Sequence, residues 1–97
     1  MIYRFYNQDK EYESWCKENQ SGFVFNHYGG TLDRADMNKI HKVDCPFLWR
    51  KADEGKRTTT YEKVCSENLD DLIEYVKNER GSSWSFCKVN HCFGHKG

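Results

Sequence analysis

Two stretches of the chain place apolar side chains at helical spacing, and each stretch predicts a helix. Tyr12, Trp15 and Cys16 stand at positions i, i+3 and i+4, which form one face of a helix. The second stripe is longer and consists of Leu69, Leu72, Ile73 and Val76. Residues that cap and end helices flank both stretches: Asn7 or Asp9 and Gly22 for the first, and Ser66 or Asn68 and Gly81 for the second.

Other stretches are rich in aromatic and β-branched residues and predict strands. They are residues 2–6, 23–28, 31–35, 58–65 and 84–87. The pair Gly29-Gly30 favours a tight turn, so the second and third of these strands are expected to form a hairpin. The segment from Met37 to Arg57 has no regular pattern, and Ile40 within it is expected in a short helix or a loop.

These elements predict an α+β fold in the order βαββ…βαβ. We expect a small, mostly antiparallel sheet of about five strands, with two helices on one face. A chain of 97 residues fits a single domain, residues 1–97. The charged, glycine-containing stretch near residues 50–57 predicts a mobile loop, and the polar residues 88–97 predict a loose tail.

Composition and cysteine content bear on the compartment. Aromatic residues make up 15% of the chain and charged residues 31%. No apolar run approaches membrane-spanning length, and the polar residues that follow Met1 are unlike a secretory signal. Five cysteines, an odd number, favour free thiols or a metal site over a disulfide framework. We therefore expect a cytoplasmic protein with no membrane partner.

The net charge is zero, but the charges are unevenly distributed along the chain. Residues 39–57 contain six basic and three acidic residues, whereas residues 66–79 contain five acids and one lysine. Cations neutralise phosphates and aromatic rings stack on exposed bases, so the first stretch predicts a nucleic-acid surface. Alternatively, its charges solvate a loop and its aromatic residues belong to the core. The candidate contacts are Lys39, Lys42, Trp49, Arg50, Lys51, Lys56 and Arg57.

The predicted hairpin adds two polar candidates to this surface. Strand alternation puts Asn26 and Tyr28 on one face and His27 on the other. Arg34 could bind a phosphate or a base edge through two guanidinium nitrogens, and Asn26 could contact a base edge. Alternatively, these side chains make ordinary cross-strand contacts, with Arg34 paired to a local carboxylate.

The end of the chain carries residue types that bind zinc. Structural zinc is held by thiolate and imidazole ligands in tetrahedral geometry. Cys87, Cys92 and His95 have suitable spacing, and Cys45 or Cys65 could supply a distant fourth ligand. Such a zinc ion would be structural, and no other cofactor is expected. Alternatively, Cys65 and Cys87 are small buried side chains and the tail is frayed.

Four segments together resemble a small bacterial domain type that occurs among prokaryotic restriction and defence components. They are Gly22–Asn26, similar to G-x-V-x-N; Leu32–Ile40, similar to L-H-R-A-x-C-x-x-I; Tyr61–Cys65, similar to Y-x-K-V-C; and the closing pair Cys87 and Cys92. The resemblance implies recognition of nucleic acid. This chain has Asp33 where the pattern has His and Met37 where it has Cys, which implies a different ligand at those positions or none.

These features predict a non-catalytic nucleic-acid recognition module of a prokaryotic or phage defence-related system, with DNA favoured over RNA. No phosphate-binding loop or dinucleotide fingerprint is present, and no catalytic signature surrounds a cysteine. Asp33, Asp36 and His41 lie within nine positions, which does not suffice for a hydrolytic metal site. The alternative function is a protein-binding inhibitor or adaptor in a phage–host conflict, in which the acidic helix makes the contacts.

Overall fold

The computed structural model describes residues 1–29, 35–89 and 92–93. Two short 3-10 turns, Pro46–Leu48 and Lys51–Asp53, lie in the long connection before the fourth strand. None of the helices in the described ranges is long and apolar enough to cross a membrane. The regular elements are β1 (Tyr3–Phe5), α1 (Asp9–Glu18), β2 (Phe23–His27), β3 (Lys39–Lys42), β4 (Glu62–Ser66), α2 (Leu69–Arg80) and β5 (Ser85–Phe86).

The five strands form one sheet in the order β1-β4-β2-β3-β5. The pairs β1–β4, β4–β2 and β2–β3 are antiparallel. The pair β3–β5, at one edge, is parallel. The predicted α+β class and the mostly antiparallel sheet of five strands are therefore confirmed.

The two helices lie on opposite faces of the sheet, which corrects the prediction that both pack on one face. Tyr12 and Cys16 of α1 share a core with Val24 of β2. Leu72 of α2 shares a separate core with Phe25, the next residue of β2. Neighbouring residues of a strand point to opposite faces, so each helix covers a different side. The apolar stripe of a helix shows that the helix is buried on one face, but it does not specify which face of the sheet it covers.

The strand that follows β2 in the chain and pairs with it is β3, whereas the sequence predicts this hairpin partner at residues 31–35. Phe25 of β2 lies opposite Ile40 of β3, and both are fully buried. Ile40 is therefore in a strand and not in the expected helix or loop. The sequence of β3 does not indicate a strand, because polar residues flank its single aliphatic residue. Residues 31–34 lie outside the described ranges, and Ala35 lies in a turn.

The ends of α2 are those that the sequence predicts. The Asn68 side chain accepts a hydrogen bond from the Asp71 backbone N–H at 3.0 Å. Gly81 ends the helix with φ of 61°, a region that favours glycine. Helix α1 begins after Gln8 without a side-chain cap. The carboxylate of Asp9 instead accepts hydrogen bonds from the loop that precedes β4.

Both segments that were predicted to be mobile contain anchored residues. In the tail, Cys92 is only 1% exposed and belongs to the core on the α1 side of the sheet. At the end of the loop 50–57, Arg57 donates a hydrogen bond to the Glu13 carboxylate at 3.0 Å. The mobility of the remaining loop residues stays a prediction.

Candidate functional site

Four buried side chains, His41, Cys45, Cys87 and Cys92, form a compact group that we call the Cys3His cluster. Their potential ligand atoms all lie within 4.8 Å of one another. The Sγ atoms of Cys45 and Cys87 are 3.8 Å apart. Two sulfurs bound tetrahedrally to one zinc ion at about 2.3 Å would be about 3.8 Å apart, and three cysteines with one histidine are a common zinc ligand set. The cluster could therefore hold a metal ion.

The parallel edge of the sheet brings these four residues together. His41 lies in β3, and Cys87 follows β5 and donates a backbone hydrogen bond back to β3 at 3.0 Å. Cys45 follows β3 after a turn closed by its N–H on the Lys42 carbonyl at 2.9 Å. The Lys42 N–H in turn donates to the Sγ atom of Cys92 at 3.2 Å. A donor aimed at sulfur favours the thiolate, which is the form that binds a metal.

The protonation states in the cluster suit a cation. Burial, together with the charges of Lys63 and Lys39, lowers the pKa of His41 to about 4, so its imidazole is neutral at pH 7. Its Nδ1 atom is buried without a hydrogen-bond partner among the residues that the structure describes. Burial raises the pKa of Cys92 to about 12, so a bound cation is needed to hold this side chain as a thiolate at pH 7.

Two of the predicted zinc ligands belong to the Cys3His cluster. Cys87 and Cys92 lie in it, and Cys45 joins them as the ligand from a distant part of the chain. The other distant candidate, Cys65, lies in the interior strand β4, where its thiol contacts Cys16, and it does not belong to the cluster. The predicted ligand His95 lies outside the described residues.

His41 is a cluster residue that the sequence reasoning misses as a zinc ligand. The sequence groups it only with Asp33 and Asp36, which do not suffice for a metal site. A usable signal is present, because His41 stands four positions before Cys45, a spacing within the range seen for zinc ligand pairs. This spacing is hard to recognise as that of a zinc ligand pair, because one residue is a histidine and the other a cysteine.

A cleft of about 470 Å³ opens on the same side of the sheet, and we call it the basic cleft. Its volume lies within the range of pockets that hold small ligands. The uncharged residues that line it include Asn26, His41, Phe47, Leu48 and Tyr61. Basic side chains outnumber acidic ones around it, which favours an anionic ligand. The charged residues that line it are Lys39, Arg50, Lys56, Arg57 and Lys63, with Asp36 and Asp53.

The basic cleft has a buried floor and an exposed rim. His41, Leu48 and Lys63 are each less than a tenth exposed and form the floor. Phe47, at 57% exposure, and Lys56 stand at the rim. His41 belongs to both the floor and the Cys3His cluster, so a metal ion bound in the cluster would also hold part of the floor in position.

Lys63 is the charged residue of the floor. Its Nζ donates to the Asn26 Oδ1 atom and to the Arg57 backbone carbonyl, each at 2.8 Å. Burial lowers its pKa to about 8, an effect that nearby Asp53 and Asp9 oppose. Its ammonium group is therefore still largely protonated at neutral pH.

The basic cleft gathers five of the nine predicted nucleic-acid contacts. Lys42 lies on the opposite face of the sheet, 5.5 Å from the centre of the Phe93 ring. Lys51 and Trp49 do not line the cleft, and Arg34 lies outside the described residues. The five that line it are Asn26, Lys39, Arg50, Lys56 and Arg57.

Two of the predicted contacts are held by other parts of the protein. The Trp49 ring stacks on Tyr12 at 5.6 Å, and its Nε1 donates to the Val43 carbonyl at 2.6 Å. The Arg57 guanidinium lies 5.0 Å from the Trp49 ring centre and is bound to Glu13 at 3.0 Å. These contacts give both side chains a structural role, so Phe47 and Tyr61 are the aromatic residues left to face a ligand in the cleft.

The comparisons with known proteins do not identify a relative. No protein-family model matches the chain, and no significant match was found among the curated proteins or the solved structures.

Proposed function

We propose that this protein is a non-catalytic nucleic-acid recognition module whose phosphate-binding surface is the basic cleft. The proposal rests on one observation, that polar and basic residues from distant parts of the chain line a single concave surface. They are Asn26, Lys39, Arg50, Lys56 and Lys63. Cations focused in a concave surface raise the local potential and attract polyanions. The resemblance of the sequence to defence-associated modules supports a setting in prokaryotic or phage defence, with DNA as the ligand.

Aromatic side chains support contact with bases next to the phosphate contacts. Phe47 is 57% exposed at the rim of the basic cleft, and Tyr61 lies in the wall. Stacking of a base on such a ring contributes about 1–3 kcal/mol and does not require a particular base. Single-stranded or unpaired bases suit this arrangement best.

We propose further that the Cys3His cluster is a structural zinc site. Four protein ligands complete the tetrahedral coordination of zinc, which leaves no open position for a substrate. A zinc ion there would tie Cys87 and Cys92 to β3 and would hold His41 in the floor of the basic cleft. In this arrangement the metal supports binding and takes no part in a reaction.

The proposal is tested with a variant in which Lys39, Arg50 and Lys56 are all replaced by alanine. Removing three cations that bind phosphates should weaken binding of a fluorescent oligonucleotide at least about tenfold at low salt. The slope of log affinity against log salt should flatten by about one unit for each cation removed. Fluorescence anisotropy with single-stranded and double-stranded DNA at several salt concentrations measures both quantities.

The matched control replaces Lys10, Lys17 and Lys77, three exposed helical lysines outside the basic cleft. It changes the net charge by the same amount, so it should bind nearly as well as the wild type. Equal weakening in both variants would mean that the overall charge, and not the cleft, governs binding. If the wild type binds no oligonucleotide even at low salt, the protein-binding alternative becomes the better account.

A further inference from the structure

Lys63 is the most deeply buried of the cations that line the basic cleft. It is 8% exposed, whereas Arg50 and Lys56 stand at the exposed rim. Among the residues that the structure describes, no carboxylate lies within ion-pair distance of its Nζ atom. Asp53, one of the two acids that line the cleft, is paired with Arg50 at 3.2 Å.

The hydrogen bonds of Lys63 leave one donor unused. An ammonium group has three N–H donors. Two point to neutral oxygens, on the Asn26 side chain and the Arg57 backbone. The third has no partner in the part of the chain that the structure describes. The two neutral acceptors fix the position of the ammonium group without cancelling its charge.

A buried cation with no carboxylate in ion-pair contact is costly to the fold, even though Asp53 and Asp9 lie near enough to offset part of the cost. Burial lowers the pKa of Lys63 to about 8, so the folded protein keeps a charge that its surroundings disfavour. Such groups in clefts are frequent at functional sites, because a bound ligand of opposite charge offsets the cost. The ligand that suits this position is an anion small enough to reach the floor.

We propose that the floor of the basic cleft binds a single terminal phosphate group, with Lys63 as its buried donor and Lys39 and Lys56 as further cations. This inference deepens the proposed function and rests on it. A terminal phosphate enters a recess end-on, whereas an internal phosphodiester must leave room for the chain on both sides. It also carries more negative charge than an internal one. The terminal phosphate of an oligonucleotide and that of a free mononucleotide share this chemistry.

The experiment compares oligonucleotides of one sequence that carry a 5′-phosphate, a 3′-phosphate or neither, each titrated into the wild type. A phosphorylated end should raise the affinity about tenfold, which is the usual strength of one charge-assisted hydrogen bond. In Lys63→Met the phosphorylated and unphosphorylated oligonucleotides should bind equally. Lys77→Met, which removes an exposed lysine outside the basic cleft, should keep the preference. A second experiment titrates adenosine 5′-monophosphate and adenosine separately into the wild type and follows binding by NMR.

The outcomes separate this inference from the proposed function. A phosphate preference in the wild type that Lys63→Met abolishes supports the inference. Equal binding of all three oligonucleotides by the wild type overturns it and leaves the proposed function standing, whether or not the variant folds. Binding of adenosine 5′-monophosphate, but not of adenosine or any oligonucleotide, supports the phosphate site and overturns the nucleic-acid proposal. No binding of any of these ligands overturns both.

Discussion

Asp9 holds the loop before β4 against the start of α1. Its Oδ1 atom accepts hydrogen bonds from the Thr58 N–H at 2.8 Å and the Thr58 hydroxyl at 2.6 Å. Its Oδ2 atom accepts one from the Arg57 N–H at 2.9 Å. Burial opposes ionisation of Asp9, but these hydrogen bonds outweigh it and lower the pKa of the carboxyl below its ordinary value. Through Arg57, this single carboxylate also positions one wall of the basic cleft.

Replacing Asp9 by asparagine should lower the free energy of unfolding by about 1–2 kcal/mol at pH 7. Because folding lowers the pKa of Asp9, its stabilisation is fully present above the unfolded-state value of about 3.9. It is lost as the pH falls through the lower folded-state value. The difference between wild type and Asp9→Asn should therefore shrink as the pH falls below about 4.

Urea unfolding of both proteins from pH 7 to pH 3 measures this difference at each pH. Glu11→Gln, which removes an exposed acid from the same helical turn, is the control and should change stability little. A difference between wild type and Asp9→Asn that stays constant over the whole range would contradict the role given to the ionised carboxylate.

At the scale of elements, α1 packs closely against the sheet at its junction with β2. A Cβ atom on Gly22 would lie 2.8 Å from the Trp15 ring, 3.1 Å from the Asn19 carbonyl and 3.3 Å from the Ser66 carbonyl. The absence of a side chain at Gly22 thus lets α1 lie close to the sheet. Gly22 also accepts a hydrogen bond at 3.0 Å from the Val43 N–H, which links the junction to the end of β3.

Gly22→Ala should destabilise the protein by about 1–3 kcal/mol, because the new methyl group overlaps with its neighbours. Trp15→Phe removes the nearest of these atoms, so the double variant should lose less than the sum of the two single variants. Urea unfolding of the four proteins gives the coupling. Ser21→Ala, at an exposed neighbouring position, is the control. Additive effects in the double variant would show that the Trp15 contact does not determine the need for glycine.

At the scale of the whole molecule, the basic cleft and the acidic residues of α2 lie on opposite faces of the sheet. The basic cleft lies on the face that α1 covers, because Asn26 and Lys63 share that face with Val24. Helix α2 lies on the other face and exposes Asp70, Asp71, Glu74 and Glu79. A neutral protein can therefore present the basic cleft to a polyanion while the acids of α2 face away from it. The Cys3His cluster lies beside the cleft and joins the last described residues to the sheet edge.

The zinc proposal predicts about one zinc ion per chain in the purified protein, measured by mass spectrometry of the metal. Removing the metal with a chelator should lower Tm by more than about 10 °C, because about 1 kcal/mol corresponds to 4–8 °C in a domain of this size. Cys87→Ser should lose most of the metal. Cys65→Ser, which changes an equally buried thiol outside the cluster, should retain it. Full metal content in Cys87→Ser, or none in the wild type, would contradict the zinc site.

The features that depend on neighbouring residues could be predicted from the amino-acid sequence. Helical spacing and caps identified α2 from Asn68 to Gly81, and β-branched and aromatic runs identified β2 and β4. Two cysteines of the Cys3His cluster were also predictable, because Cys87 and Cys92 lie close together in the chain. Each of these features has a period or a spacing that can be read within a few residues.

Tertiary structure alone decided the features that depend on distant residues. The side of the sheet that each helix covers, the pairing of β2 with β3 and the inclusion of His41 in the cluster all follow from long-range strand pairing. The burial of Lys63 is another example, since lysine is usually an exposed residue. Only the folded sheet places this side chain beside Asn26 at the floor of a cleft, because strand register aligns residues that the chain keeps apart.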